Sequence, residues 1–139
     1  MNTFKRWLAV PALLTIALSG TTALSQSTVA VTPDSQPIEL RGTSGGSKKS
    51  NTCAGNIAPS PNHLIRVTED TNLRITLQAG GQPALLIRNP AGQDFCVPAD
   101  SYSGGRIDVP GRWIKGTYSV FVGDRNNGQH PYALSIARN

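Results

Sequence analysis

The sequence is poor in the side chains on which catalytic, metal-binding and nucleic-acid-binding sites most often depend. Only 15% of its 139 residues are charged and 6% are aromatic, and it holds two cysteines and two histidines. After residue 25 the basic residues stand apart from one another, with only Lys48 and Lys49 adjacent. A nucleic-acid surface clusters basic residues and interleaves them with aromatic ones, so we expect no nucleic-acid partner.

Long hydrophobic runs are absent except near the N-terminus. Two basic residues precede an apolar run at residues 8–18, and the small residues Ala23 and Ser25 follow it. This order is typical of a secretory signal peptide, which we predict at residues 1–25. The run is shorter than the roughly 20 residues that a membrane span needs. We therefore expect a secreted or periplasmic protein without a membrane span, whose net charge falls from +5 to +3 because the two basic residues leave.

Cysteine is scarce, and the spacing of the two that are present argues against a thiol site. A metal or redox site would need a third ligand or a Cys-x-x-Cys spacing, whereas Cys53 and Cys96 lie 43 residues apart. In an exported protein such a pair is most simply a disulfide. We predict a Cys53–Cys96 disulfide, and closing a loop of this length should stabilise the fold by about 4 kcal/mol.

Helical periodicity is lacking after the signal peptide, and alternation of apolar and polar residues takes its place. Residues 26–37 are polar, contain two prolines and show no period, which predicts a flexible N-terminal arm. From residue 38 onward, turn signals separate about eight short segments with the alternation typical of strands. These segments are residues 38–41, 64–67, 73–78, 84–87, 94–97, 107–109, 117–122 and 132–137. The pattern predicts one all-β domain over residues 38–139, an antiparallel β-sandwich.

The last two predicted strands are expected to form a hairpin that closes the core. A loop rich in Asn and Gly, residues 124–131, separates them, and such a turn between alternating runs favours hairpin pairing. Phe121 stands on the outward side of the first of these strands. It is either covered by the N-terminal arm or part of an exposed apolar patch.

Four strand and turn segments carry a resemblance to a known family. They are residues 84–87 (ALLI), 89–92 (NPAG), 116–123 (GTYSVFVG) and 132–136 (YALSI). In order and spacing they resemble the bacterial pre-peptidase C-terminal domain, and the chain is also similar to small exported proteins of cyanobacteria. The resemblance implies a jelly-roll-like β-sandwich that acts as a non-catalytic accessory module, without a cofactor. Its partner would be a separate extracellular molecule, a polysaccharide or other polymer or a protein.

Because aromatic residues are scarce, those near loops are the candidates for a binding site. Trp113 lies in a predicted turn, and Tyr102 lies in a loop rich in Gly and Ser, with Arg106 and Arg112 nearby in sequence. An exposed Trp and Tyr beside arginines would suit stacking on sugar rings or holding a peptide. These four are the predicted ligand-binding residues. In the alternative interpretation, Trp113 caps the open end of the sandwich and Tyr102 fixes its loop.

The acidic residues are too dispersed to predict a metal site. Asp94, Asp100, Asp108 and Asp124 lie in or beside loops. Calcium takes six to eight oxygen ligands from closely placed residues, and no acidic run supplies them. The sequence therefore predicts no metal site.

Two other functions stay open. Residues 42–46 fit the G-x-S-x-G pattern of a hydrolase nucleophile, which would require Ser44 to meet the imidazole of His63 or His130. The glycines are more simply part of a flexible loop at residues 42–51. Alternatively, the protein is a structural envelope protein that self-associates through an exposed sheet edge.

Overall fold

The computed structural model describes residues 28–139, so the predicted signal peptide at residues 1–25 lies outside the described part of the chain. All regular elements of the described residues are β-strands. The eleven strands are β1 (Thr28–Val31), β2 (Ile38–Thr43), β3 (Lys48–Lys49), β4 (Asn56–Ile57), β5 (His63–Val67), β6 (Thr71–Ala79), β7 (Pro83–Arg88), β8 (Asp94–Pro98), β9 (Arg106–Trp113), β10 (Gly116–Asp124) and β11 (Pro131–Arg138). Over the same residues, no helix is long and apolar enough to cross a membrane.

The strands form two sheets. In the larger sheet the order is β1–β5–β10–β7–β8. The short strand β4 pairs with the end of β10, on the same edge of β10 as β5, and β3 pairs with β4. In the smaller sheet the order is β2–β11–β6–β9. Every pairing is antiparallel except that of β1 with β5. The predicted all-β antiparallel sandwich and its eight strands are confirmed, and β1, β3 and β4 are additional.

The core between the sheets is built from alternate residues of the long strands, because successive side chains of a strand point to opposite faces. The strand β6 buries Leu73, Ile75 and Leu77 in it, and β10 buries Val120 and Val122. The strand β7 is buried on both faces along almost its whole length. This burial agrees with its apolar sequence and with its place between β10 and β8.

The predicted flexible arm at residues 26–37 is in part a strand. Thr28–Val31 pairs in parallel with β5, and the Val31 side chain is fully buried in the core. The Ser35 hydroxyl then accepts a hydrogen bond from the Thr32 amide in the turn that leads to β2. The prediction was wrong because only Val29 and Val31 turn towards the core, and a run of four residues is too short for its period to stand out in the sequence.

The predicted hairpin between the last two strands is also wrong. The strand β10 pairs with β5 and β7 in the larger sheet, whereas β11 pairs with β2 and β6 in the smaller one. Residues 125–130 therefore cross from one sheet to the other. Because β5 and β7 occupy the two edges of β10, β11 cannot pair with it.

A second apolar cluster lies on the outer face of the larger sheet. This outer cluster consists of Ala54, Ile57, Ala84, Leu86 and Phe121. The predicted disulfide is confirmed, with the Cα atoms of Cys53 and Cys96 5.9 Å apart, and both cysteines pack against the cluster. Phe121 is buried in this cluster with Ala54 and Ile57 of the segment that carries Cys53, and none of residues 28–37 belongs to the cluster.

Candidate functional site

A cleft of about 500 Å³ opens at one end of the sandwich. It lies where β6, β8 and β10 end and where β7 and β9 begin, and we call it the end cleft. Its lining includes Gly81, Gln82, Asp100, Ser101, Gly105 and Arg125. The volume lies within the range of ligand pockets, and the lining combines polar and charged side chains with the apolar Ala99.

One wall of the end cleft is the loop between β8 and β9, and hydrogen bonds fix its shape. The Asp100 carboxylate accepts a bond of 2.9 Å from the Tyr102 amide, in the manner of an Asx turn. The Gln78 side chain donates to the Gly104 carbonyl over 2.8 Å, and the Ala79 amide donates to the Gly105 carbonyl over 3.1 Å. Gly105 has a φ of +85°, and a Cβ there would lie 1.8 Å from the Ala79 carbonyl oxygen. The loop is therefore attached closely to β6.

The opposite wall is organised by a buried carboxylate, Asp124. It accepts hydrogen bonds from the backbone amides of Asn126 (2.8 Å), Gly128 (3.1 Å) and Gln82 (3.4 Å). The Arg125 amide in turn donates to the Gln82 carbonyl over 2.9 Å. A fully buried carboxylate is stable only when such donors replace water. Asp124 therefore connects the turn after β6 to the loop after β10. The next residue, Arg125, is exposed.

Tyr102 lies in the loop wall of the end cleft, between the lining residues Ser101 and Gly104, although it is not itself a lining residue. It is 96% exposed, so its ring contributes nothing to the core. Its contact with a ligand stays a prediction.

The four predicted ligand-binding residues do not form one site. Arg106 and Trp113 are the two ends of β9, which lie about 23 Å apart at the rise of a strand. Tyr102 and Arg106 lie at the end of the molecule that holds the cleft. Arg112 and Trp113 lie at the opposite end, where the Arg112 guanidinium is 3.9 Å from the Asp70 carboxylate.

Trp113 is a core residue, which corrects its prediction as a ligand contact. Its side chain is 7% exposed, and its ring lies 4.5 Å from that of Tyr118, centroid to centroid. Trp113 was predicted to lie in a turn because Pro110 and Gly111 favour one, but both of these residues lie inside β9. Proline is tolerated there because β9 is an edge strand among the described residues, so no neighbour needs its missing N–H.

Ser44 faces the backbone rather than an imidazole. It is fully buried, and its hydroxyl accepts a hydrogen bond of 3.1 Å from the backbone amide of His130. The Ser44 amide donates to the His130 carbonyl over 2.8 Å. A nucleophile needs access to substrate and a base within hydrogen-bond reach, whereas this serine joins two loops. The surrounding segment is likewise more ordered than predicted, since it contains β3.

The aspartates considered for calcium lie in separate environments. Asp94 pairs with Arg88 at 2.8 Å, and Asp108 pairs with Arg74 at 2.6 Å. Asp100 belongs to the loop wall of the end cleft. Across residues 28–139, no three His, Cys, Asp or Glu side chains are placed to hold one metal ion.

A histidine and a tyrosine form a polar contact beside the core. The His63 Nε2 atom lies 2.6 Å from the Tyr132 hydroxyl, and the rings meet edge to face. Burial lowers the pKa of the His63 imidazole below its ordinary value of 6.5. Burial also raises the pKa of the Tyr132 hydroxyl to about 12, so the tyrosine stays neutral while the histidine titrates.

His63 makes the stability of the fold depend on pH. The unfolded chain binds a proton at this histidine more readily than the folded protein does, because the folded-state pKa is the lower one. The contribution of neutral His63 to the free energy of unfolding is therefore fully present above about pH 6.5, the unfolded-state pKa. It is lost as the pH falls from there towards the folded-state pKa. We expect His63→Gln, which keeps a hydrogen-bonding partner for Tyr132, to show a smaller decline in the free energy of unfolding between about pH 8 and about pH 5. Urea titrations across this range test it, and an unchanged decline in the variant would assign the effect to other groups.

Comparison with known proteins places the chain among relatives and folds. No family model matches it. An uncharacterized protein of Synechococcus elongatus is 33% identical over 138 residues, which cover 94% of this chain and 92% of that protein. The pre-peptidase C-terminal domain of collagenase from Bacillus anthracis superposes with a TM-score of 0.54 at 14% identity, over 81% of this chain and 96% of that domain. PliG of Aeromonas hydrophila, a periplasmic inhibitor of g-type lysozyme, aligns with a TM-score of 0.43 at 12% identity, over 83% of this chain and 100% of PliG. The chain has the fold of a pre-peptidase C-terminal domain, as its sequence predicted, and it belongs to the family of the Synechococcus elongatus protein.

Proposed function

We propose that this protein is an exported, non-catalytic accessory module that binds an extracellular polysaccharide at the end cleft. The observation that carries the proposal is the almost complete exposure of Tyr102 in the loop whose neighbouring residues Ser101 and Gly104 line a cleft of about 500 Å³. Export is supported by the predicted signal peptide and by the Cys53–Cys96 disulfide, which suits an oxidising compartment.

The shape and chemistry of the end cleft favour a sugar chain over a protein partner. Stable protein interfaces bury roughly 800 Å² on each partner around an apolar centre. The end cleft is instead a small concavity, whose side chains Gln82, Asp100 and Ser101 can exchange hydrogen bonds with hydroxyl groups. The Tyr102 ring can cover the apolar face of a sugar ring at the same time. Aromatic and polar contacts side by side are what a polyhydroxylated ligand requires.

Removing the Tyr102 ring should weaken binding without affecting the fold. We expect Tyr102→Ala to raise the Kd for the retained polysaccharide about tenfold, which corresponds to about 1.4 kcal/mol. Stability should be unchanged because the side chain touches no core residue. Affinity electrophoresis of the purified protein, with its disulfide intact, through gels that contain individual cell-wall and extracellular polysaccharides measures this directly.

A matched control is available on the molecule. Phe95 is also an exposed aromatic residue, at 55%, but it lies at the start of the edge strand β8, whereas the cleft lies at that strand's other end. Phe95→Ala should bind as the unmodified protein does. Equal losses in both variants would contradict a site at Tyr102. Failure of every polysaccharide to retain the protein would overturn the proposal and point to a protein partner, or to self-association through β8 if the mass in solution rises with concentration.

A further inference from the structure

We propose that the polysaccharide bound at the end cleft is an acidic one, and that Arg125 binds the anionic group of its sugar unit. This inference rests on the proposed function and names the class of ligand. Of the eight arginines in residues 28–139, four are paired with carboxylates: Arg41 with Glu39, Arg74 with Asp108, Arg88 with Asp94, and Arg112 with Asp70. Arg66, Arg106, Arg125 and Arg138 are not, and of these four only Arg125 lines the end cleft. Arg125 lines the cleft, and no carboxylate of residues 28–139 lies within ion-pair distance of it.

The backbone at Arg125 is held in place although the residue itself is exposed. Its amide is bonded to the Gln82 carbonyl at 2.9 Å, and the preceding residue is the fully buried Asp124. The Asp124 carboxylate accepts hydrogen bonds from three backbone amides and has the His130 Nε2 atom 3.7 Å away, and it forms no ion pair with Arg125. A guanidinium presents five N–H donors, and on a fixed backbone it can bind a carboxylate or a sulfate through two parallel hydrogen bonds.

Asp100 is the second charged residue that lines the end cleft, and it can accept hydrogen bonds from the hydroxyl groups of an acidic sugar unit. It lies on the wall opposite Arg125, and one of its carboxylate oxygens accepts a hydrogen bond from the Tyr102 backbone amide. Asp100 and Arg125 are too far apart to form an ion pair with each other. A ligand that spans them needs an anionic group at one end and hydroxyl donors at the other. A uronic acid or a sulfated sugar has both, whereas a neutral sugar leaves the arginine without a partner.

The test compares four immobilised polymers and two charge variants. Polygalacturonate and alginate present carboxylates, dextran sulfate presents sulfates, and plain dextran is neutral. We expect retention on at least one acidic polymer and a Kd about tenfold higher for Arg125→Gln, the size of effect expected when a charge-assisted hydrogen bond is lost. Arg66→Gln removes the same charge from an exposed position in β5. Arg66 is paired with Thr117 near the start of β10, whereas Arg125 follows the end of that strand, about 26 Å away at the rise of a strand. The Arg66 variant should retain the unmodified affinity.

The outcomes separate this inference from the proposed function. If Arg125→Gln and Arg66→Gln weaken binding to acidic polymers equally, the interaction depends on net charge alone, and the proposed role of Arg125 is overturned. Binding to a neutral polymer that Tyr102→Ala weakens and Arg125→Gln does not would overturn the acidic ligand and leave the polysaccharide site standing. Absence of binding to any polymer would overturn both. A preference between polygalacturonate and dextran sulfate, lost in Arg125→Gln, would tell whether the anionic group is a carboxylate or a sulfate.

Discussion

Replacing Trp113 with alanine is expected to lower the free energy of unfolding by about 3–5 kcal/mol, the range for a large buried aromatic residue. The indole is 7% exposed and belongs to the core between the sheets. It packs on the Tyr118 ring, whose hydroxyl donates a hydrogen bond of 2.8 Å to the Ile114 carbonyl. Truncation would leave a cavity under the turn that joins β9 to β10. Urea unfolding followed by far-ultraviolet circular dichroism measures the loss.

Tyr102→Ala is the matched comparison for this prediction. Both variants remove an aromatic ring, but Tyr102 is almost fully exposed, and exposed positions change stability by about 0.5 kcal/mol or less. The two variants should therefore show opposite effects, with Trp113→Ala reducing stability and Tyr102→Ala reducing binding. A Trp113→Ala protein of unchanged stability that has lost its affinity would show that the indole contacts the ligand after all.

The strands were predictable because the core imposes its alternation on the sequence. The strand β6 is the clearest example, since Leu73, Ile75 and Leu77 all face inwards and the residues between them are polar or charged. The disulfide was predictable from an even cysteine count and an expected export. Both signals are local or compositional, so neither depends on knowing which strands are neighbours.

The pairing of the strands was not predictable in the same way. The strand β10 alternates like one half of a hairpin, yet its partners β5 and β7 are distant from it in sequence. Trp113 was expected in a turn because Pro110 and Gly111 usually end a strand, and only the edge position of β9 explains why they do not. Periodicity reports which face of a strand is buried and says nothing of what covers that face.

The end cleft was predictable only in part for the same reason. Tyr102 stood out as an aromatic residue in a loop of small residues. Gly81, Gln82 and Arg125 carried no signal of their own, because they belong to two other loops that meet the first only in the folded sandwich. In the sequence Asp124 resembles any other loop aspartate. It connects two loops only because it accepts hydrogen bonds from the backbone amides of Gln82, Asn126 and Gly128.

Removing the disulfide is expected to lower the free energy of unfolding by about 4 kcal/mol, from the entropy gained by the unfolded chain when a 43-residue loop is opened. The change is the double variant Cys53→Ser with Cys96→Ser. Reduction of the unmodified protein with dithiothreitol should cause the same loss, which separates the bond from any effect of the serines. A loss below about 1 kcal/mol in both experiments would contradict the prediction.

The disulfide should also affect the end cleft, which distinguishes its loss from that of Trp113. Besides the disulfide, the segment held by Cys53 is attached by the burial of Ala54 and Ile57 in the outer cluster and by the short strand β4, which pairs with β3 and with one residue of β10. The side-chain amide of its Asn56 donates hydrogen bonds to the Asp124 backbone carbonyl and to the Asn127 side chain. The segment therefore contacts the loop that carries Arg125. Opening the bond should release this contact, and amide hydrogen exchange at residues 54–57 and 124–128 should accelerate while the core strands stay protected. Under conditions where both variants remain folded, we therefore expect weaker polysaccharide binding from the cysteine variant and unchanged binding from Trp113→Ala, because only the cysteine pair is linked to the wall of the cleft.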